Sequence, residues 1–390
     1  MNFDANVQFT LPTRILYGYN TAGLTAAEAK KLGIKKALVV TDKGVSAAGV
    51  VKPVMQNLEA LGVPFDVFDD VPVDPDTQVV EKGAALLKEK GCNGVVIVGG
   101  GSVLCAGKGI AVVAANGGNV RDYEGVDKYK TPPLPVIGLP TTAGSGSEAS
   151  GVFLISDEQR NSHKMAIGGY DVYPKVAILD PLLLRTLPAR QFAISGIDAL
   201  THAVEATCTS QTTPLTDAIA YEAIRIIMKN LAKATYTDDL EAKGNQLFAS
   251  TIANIACGNA RLGLVHGLSQ SAESYHLAHG LSVGVLLPYI MEYNLPACEE
   301  KLARMADVME VAMPGMTLSE KARASIDAVK ELQVKLNFPD RIPQDIVPRE
   351  DIPKMAKAAM MRPQVKVFNA RKPTEADLVG ILEAAYDGWL

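Results

Sequence analysis

The sequence predicts an α/β N-terminal domain built on a parallel sheet, followed by an all-α C-terminal domain. Three observations carry this. Short β-branched runs alternate with helical stretches through the first half, the pattern that builds βαβ crossovers. Those runs are apolar throughout, as strands covered on both faces require. Past Asp180-Pro181 the strand-like runs nearly vanish, and Ala-, Leu- and Met-rich windows of helical period take over.

The expected strands are Ala37–Thr41, Phe65–Phe68, Val95–Val98, Val136–Leu139 and Val176–Leu179. Amphipathic segments near 45–61 and 78–90 fill the gaps between the early ones. In the second half Thr213–Ala232, Leu240–Cys257 and Leu318–Leu336 read as helices. The boundary falls near 183–190, giving domains over 1–185 and 186–390. A cleft between two such domains is a common place for a small-molecule site.

Composition narrows the class. Against 38 Lys+Arg stand 43 Asp+Glu, a formal charge of −5, so the basic footprint of a nucleic-acid binder is missing. No apolar run approaches the ~18 residues of a membrane span. Met1-Asn2-Phe3-Asp4 has neither the basic nor the apolar region of a secretory signal. Five cysteines, an odd number with no CxxC pair, argue against a disulfide framework and a cysteine-bound zinc. A cytoplasmic globular protein with no nucleic-acid or membrane partner is expected.

Val95–Val98 runs straight into Gly99-Gly100-Gly101-Ser102 and then an apolar helical stretch. Glycines there let the backbone turn tightly beside a ligand, and the helix start offers free N–H groups to a phosphate. Leu104 stands where the third glycine of GxGxxG belongs, and Gly109 follows Gly107-Lys108 where a P-loop has Ser or Thr. The bland alternative is a tight turn with no ligand. A second Gly-Ser-Thr stretch, Pro140-Thr141-Thr142-Ala143-Gly144-Ser145-Gly146-Ser147-Glu148, lies at the carboxyl end of another strand. Two such loops at one edge of a sheet favour a dinucleotide. Asp42, closing an earlier strand, could accept hydrogen bonds from an adenosine ribose and repel a 2′-phosphate, favouring NAD over NADP. Its bland reading is a helix-cap carboxylate.

The chain has five histidines, His163, His202, His266, His276 and His279. Asp198 and His202 are four apart in a helical window, so they share a face and can meet one ion. His266 and His279 could close the other side. Singly each histidine reads as an ordinary hydrogen-bonded or surface group. Together, one carboxylate and three imidazoles suit Fe(II), Zn, Mn or Co, with no thiolate to favour zinc.

These stretches resemble the iron-containing (group III) alcohol dehydrogenase family. The matching residues are Gly99-Gly100-Gly101-Ser102 with Lys108, Pro140 to Glu148, Pro174 with Asp180-Pro181, and Gly196, Asp198, His202 and Glu205. They continue through Gly263-Leu264-Val265-His266-Gly267, His279-Gly280, Leu286-Leu287-Pro288 and Asn369-Ala370-Arg371. The resemblance covers roughly residues 8–385. It implies a Rossmann-like N-terminal domain, a helical C-terminal domain, and both NAD(P), with NAD ahead of NADP, and a divalent metal, Fe(II) with zinc the alternative. By the same resemblance Asp198, His202, His266 and His279 bind the metal. Asp42, Gly99, Gly100, Gly101, Ser102, Thr141, Thr142, Ser145 and Lys164 would line the cofactor site.

The implied activity is reversible hydride transfer between a small primary alcohol or diol and its carbonyl form, with the alcohol or aldehyde as partner and a homodimer or higher homo-oligomer as assembly. Departures bear on the proton route. Gln270 stands where many members carry a histidine near the nicotinamide, and an amide does not titrate near neutral pH. His276, Tyr275 or water could substitute. The stretch from Gln270 to His279 is one residue short, which leaves His276 as the alternative fourth ligand. Cys105 replaces the family's usual Asp, and Met361-Arg362-Pro363 stands where many members have an Asp or Cys. Arg261 and Arg362 could recognise an anionic substrate group; their bland reading is solvated surface charge. Two other readings are a 3-dehydroquinate-synthase-like lyase, which needs basic residues gathered on a phosphorylated substrate, and a non-catalytic scaffold that binds NAD and metal.

Overall fold

The computed structural model describes residues 8–160, 163–275 and 277–389. They divide into two compact units: Leu11–Pro188, and the chain from Ala189 onward together with residues 8–10.

The first unit contains β1 (Arg14–Tyr17), α1 (Thr25–Lys31), β2 (Ala37–Val40), α2 (Lys43–Ala47), α3 (Lys52–Ala60), β3 (Phe65–Phe68) and α4 (Thr77–Glu89). It continues with β4 (Gly94–Gly99), α5 (Gly101–Asn116), β5 (Gly125–Val126), β6 (Val136–Pro140), β7 (Val152–Asp157), β8 (His163–Gly168) and β9 (Val176–Leu179). The main sheet has the order β1-β9-β6-β4-β2-β3, and every pairing in it is parallel. The five expected strands are β2, β3, β4, β6 and β9.

Strand periodicity sorts the central side chains into two cores. Leu38, Val40, Val95 and Ile97 pack on one face with residues of α4 and α5 such as Leu87 and Ile110. Ala37, Val39, Val96 and Val98 pack on the other with Ala26, Ala29, Val54 and Leu58 of α1 and α3. Both faces are therefore covered, which is why these strands are continuously apolar. Asp76 starts α4 by accepting from Val79 N at 3.0 Å. Gly117, at φ +79°, stops α5 in a conformation that a side chain would strain.

The chain passes from β2 to β3 on one side and returns to β4 on the other side of β2. That reversal opens a crevice at the carboxyl ends of β2 and β4, where doubly wound sheets bind ligands. A smaller sheet, order β5-β8-β7, pairs β8 antiparallel to β7 with Ser156 opposite Lys164.

The second unit is helical: α6 (Ala189–Thr207), α7 (Pro214–Tyr236), α8 (Leu240–Ala260), α9 (Leu264–Ser269), α10 (His279–Val308), α11 (Leu318–Lys335), α12 (Ile352–Ala359) and α13 (Glu375–Asp387). Thr213, Thr317 and Thr374 open α7, α11 and α13 with reciprocal side-chain caps. α6 is buried almost all round from Phe192 to Thr207, and it packs against α7, α8 and α10. Only a helix enclosed in this way can carry Asp198, His202 and Glu205 out of water. α10 kinks at Cys298, whose φ of −129° is non-helical, two residues after Pro296. Thr10 joins this unit by donating to Asn259 Oδ1 at 2.6 Å and accepting from Asn259 Nδ2 at 3.1 Å. No helix among the described residues is long and apolar enough to cross a membrane.

Candidate functional site

Within the helical unit, Asp198 and His202 sit one turn apart on α6, His266 lies on α9, and His279 is the first residue of α10. Asp198 Oδ1 is the hub. It lies 3.9 Å from His202 Nε2, 3.7 Å from His266 Nε2 and 3.8 Å from His279 Nε2. These separations are too long for hydrogen bonds, and Asp198, His202 and His266 together could hold one ion, a group that does not include His279. The ligating atoms of Asp198, His202 and His266 lie within 4.8 Å of one another. The His202 and His266 rings stack at 4.8 Å, and the His279 ring is tilted 5.3 Å from that of His266.

Asp198 is 6 % exposed, His202 6 % and His266 2 %. Asp198 Oδ1 and His266 Nε2 have no hydrogen-bond partner in the protein. Buried polar atoms without partners cost about 1–3 kcal/mol each, so two that converge with further imidazole nitrogens mark a place for a cation. The donor set, one carboxylate oxygen and three imidazole nitrogens, fits Fe(II) or zinc. His279 is the outermost member, its side chain 40 % exposed, so the cluster opens to solvent on that side.

Electrostatics fit the same use. Burial pushes the Asp198 carboxyl up, but the three histidines more than offset it and hold the group well below its usual range. Burial takes His202 down to about 4, so its ring is neutral at physiological pH. Burial also depresses His266, yet the Glu205 charge beside its Nδ1, with Asp198, carries it up to about 9. A cation loaded here must displace the His266 proton. Apparent metal affinity should therefore fall by up to about tenfold per unit as pH drops below about 9, and level off above it. Chelator competition with zinc at pH 6, 7 and 8 reads this slope; a flat profile contradicts it.

In the first unit the two Gly-Ser-Thr turns meet at the sheet edge. Thr141 N donates to Gly99 O at 3.1 Å. A Cβ on Gly100 would lie 3.1 Å from Thr142, and one on Gly101 the same distance from Ser145. The glycines thus let the second turn rest on the first. Lys108, 1 % exposed, ties that second turn down from α5. Its Nζ donates to Ser147 Oγ at 2.8 Å and to the carbonyls of Ser147, Ser150 and Val152 at 3.0, 3.2 and 2.8 Å. Burial brings its pKa down to about 8.

Asp42 follows β2 at the crevice and caps α2, accepting from Val45 N at 2.9 Å. Ser102 Oγ accepts from Asp74 N at 3.4 Å, and Lys164 Nζ pairs with Asp74 Oδ1 at 2.7 Å. Lys164 on the small sheet is so brought beside the glycine turn through Asp74, a link with no signal in the sequence. Gln270 directly follows α9, and its Oε1 is buried with no partner. His276 lies outside the described residues. Glu205 also belongs to the site, and its signal was available: Asp198, His202 and Glu205 recur at i, i+4 and i+7 on one helix face.

A doubly wound α/β unit with a glycine turn at its switch point, in a chain that also buries a carboxylate among imidazoles, suits a protein that binds a dinucleotide and a metal. Comparison with known proteins makes the class specific. The profile "Iron-containing alcohol dehydrogenase" matches residues 12–181, and "Fe-containing alcohol dehydrogenase family, C-terminal" matches residues 192–386. The chain is 34 % identical to the 1,3-propanediol dehydrogenase of Klebsiella pneumoniae, over 97 % of this chain and 98 % of the relative. It is equally identical to the NAD-dependent methanol dehydrogenase of Bacillus methanolicus, over 97 % and 99 %. A crystal structure of a 1,3-propanediol oxidoreductase superposes with a TM-score of 0.95 at 34 % identity, covering 98 % of this chain and all of that one. The chain belongs to the iron-containing alcohol dehydrogenase family. It is an oxidoreductase of alcohols and their carbonyl counterparts that uses NAD and a metal.

Proposed function

We propose that Asp198, His202, His266 and His279 hold the metal, Fe(II) with zinc the alternative, and that the substrates are small primary alcohols or diols and their aldehydes. The observation that carries this is the buried, unpartnered Asp198 Oδ1 within 4 Å of a nitrogen from each of the three histidines. Relatives named for 1,3-propanediol and methanol support the substrate class. When bound, the cation supplies Lewis-acid polarisation of the substrate oxygen, and the nicotinamide supplies a hydride acceptor.

The remaining work falls to the chain's own side chains. Asp42, Gly99, Gly100, Gly101, Ser102, Thr141, Thr142, Ser145 and Lys164 bind the dinucleotide, with the domain over 1–185 as its carrier and that over 186–390 as the metal and substrate domain. The free N–H groups at the start of α5 suit a pyrophosphate. The Asp42 carboxylate repels a 2′-phosphate and so selects NAD rather than NADP.

Gln270 and His276 complete the reading as the groups that handle the hydroxyl. The Gln270 amide orients it by hydrogen bonding, and His276, which titrates, passes its proton to solvent. Replacing His276 with alanine should lower kcat by about 10²-fold with metal content unchanged; an unaltered rate assigns the proton elsewhere. The enzyme acts in the cytoplasm as a homodimer or higher homo-oligomer.

The test of the whole reading is metal analysis of anaerobically purified protein, joined to a panel of neutral and anionic alcohols with NAD followed at 340 nm. One equivalent of iron or zinc and turnover of short neutral alcohols are expected. Turnover confined to anionic alcohols would redirect the substrate to Arg261 or Arg362, and a metal-free active protein would refute the ligand set.

A further inference from the structure

Among the described metal-site histidines, His266 has a carboxylate behind it. Its Nδ1 lies 2.5 Å from Glu205 Oε2. A carboxylate only accepts, so the ring must carry a proton on Nδ1, and the proton a cation displaces is then the one on Nε2, which leaves that nitrogen's lone pair for the metal beside Asp198. His202 has no such partner: its Nδ1 is buried and unbonded.

The other oxygen of Glu205 acts on the backbone. Val265 N donates to Oε1 at 2.5 Å, and Leu264 N donates to Asn369 Oδ1 at 3.2 Å. Two successive N–H groups at the start of α9 are thus held from two directions. Asn369 is fixed in turn. It exchanges amide hydrogen bonds with Asn294 of α10 at 2.8 and 3.2 Å and donates to Arg371 O at 2.7 Å. The strand-like bridge between Thr209 and Asn369 binds this segment to the chain just beyond α6. Gly263 fits between both acceptors, because a Cβ there would lie 3.1 Å from Glu205 Oε1 and from Asn369 Oδ1. Glu205 and Asn369 are 4 % and 1 % exposed, so solvent does not compete for either.

We propose that Glu205 is a positioning residue of the metal centre: it fixes the His266 ring in its Nδ1–H form and, with Asn369, sets α9 so that Nε2 faces Asp198. This rests on His266 being a ligand, as argued above. A carboxylate placed behind a ligating imidazole raises its basicity, and losing such a partner typically costs about 10–100-fold in metal affinity.

The test compares wild type, His266→Ala and Glu205→Gln by zinc competition against a chromophoric chelator. Gln keeps the volume of Glu and can still accept from Val265 N. It then presents an amide N–H to His266 Nδ1 and drives the ring proton onto Nε2. A purely structural role is therefore satisfied by Gln, whereas the positioning role is not. The zinc dissociation constant of Glu205→Gln should rise about 10–100-fold, with NAD affinity unchanged. A constant within about threefold of wild type overturns the assignment to Glu205 while leaving the ligand set intact. Full zinc retention by His266→Ala overturns both. Should Glu205→Gln fail to fold, the wild type decides. With five histidines in the chain, the ¹⁵N-histidine spectrum of the zinc-loaded protein must show His266 protonated at Nδ1, and protonation at Nε2 refutes the proposal.

Discussion

Replacing His266 with alanine is expected to abolish metal retention and to lower turnover about 10³-fold, the equivalent of ~4 kcal/mol in the barrier. His266 is the most buried of the described imidazoles in the cluster and stacks on His202. Its loss also strands Glu205, whose Oε2 then faces a void in a buried environment. Part of the effect is therefore structural, and the melting temperature of the metal-free variant separates the two. Metal content and kcat should fall together. A variant that keeps both shows that another residue completes the site.

The second large effect is expected at Lys108→Met, far from any metal ligand in sequence. The ammonium satisfies three carbonyls and one hydroxyl in the turn after β6. Methionine fills similar space without a donor. It removes the cost of burying a charge but leaves those acceptors unpaired, and breaking such a buried arrangement costs about 2–4 kcal/mol net. Urea unfolding followed by circular dichroism reads the loss. Because the same turn carries Thr141, Thr142 and Ser145, NAD affinity should drop as well, while zinc binding stays at the wild-type level. Unchanged stability would mean that water replaces the ammonium, and equal losses of zinc and NAD would mean general unfolding.

The main sheet was legible because its central strands are buried on both faces and must be apolar throughout. β1 is hidden in the sequence for the opposite reason: it is an edge strand whose Arg14 and Tyr17 are exposed, so only Ile15 and Leu16 between them turn toward the protein. β7 and β8 form a small sheet exposed at Val152 and Ala166, set among Gly and Ser residues that read as loop. The Asp198 and His202 pair was visible as a helical repeat, and the same repeat extended by three residues reaches Glu205. The distances from Asp198 to His266 and His279 were not visible, because they depend on how α9 and α10 pack against α6. The link from Lys164 through Asp74 to Ser102 was equally hidden, since it joins a strand, a loop and a helix through one ion pair and one hydrogen bond from the Asp74 backbone.

The central claim is that one cation is held by Asp198 and three imidazoles. X-ray absorption at the iron edge of the anaerobically loaded protein tests it most directly. A first shell of nitrogen and oxygen donors is predicted, with the multiple-scattering signature of three histidine rings, one of which disappears in His279→Ala. A shell of oxygen donors without imidazole scattering, or a spectrum that His279→Ala leaves unchanged, would contradict it.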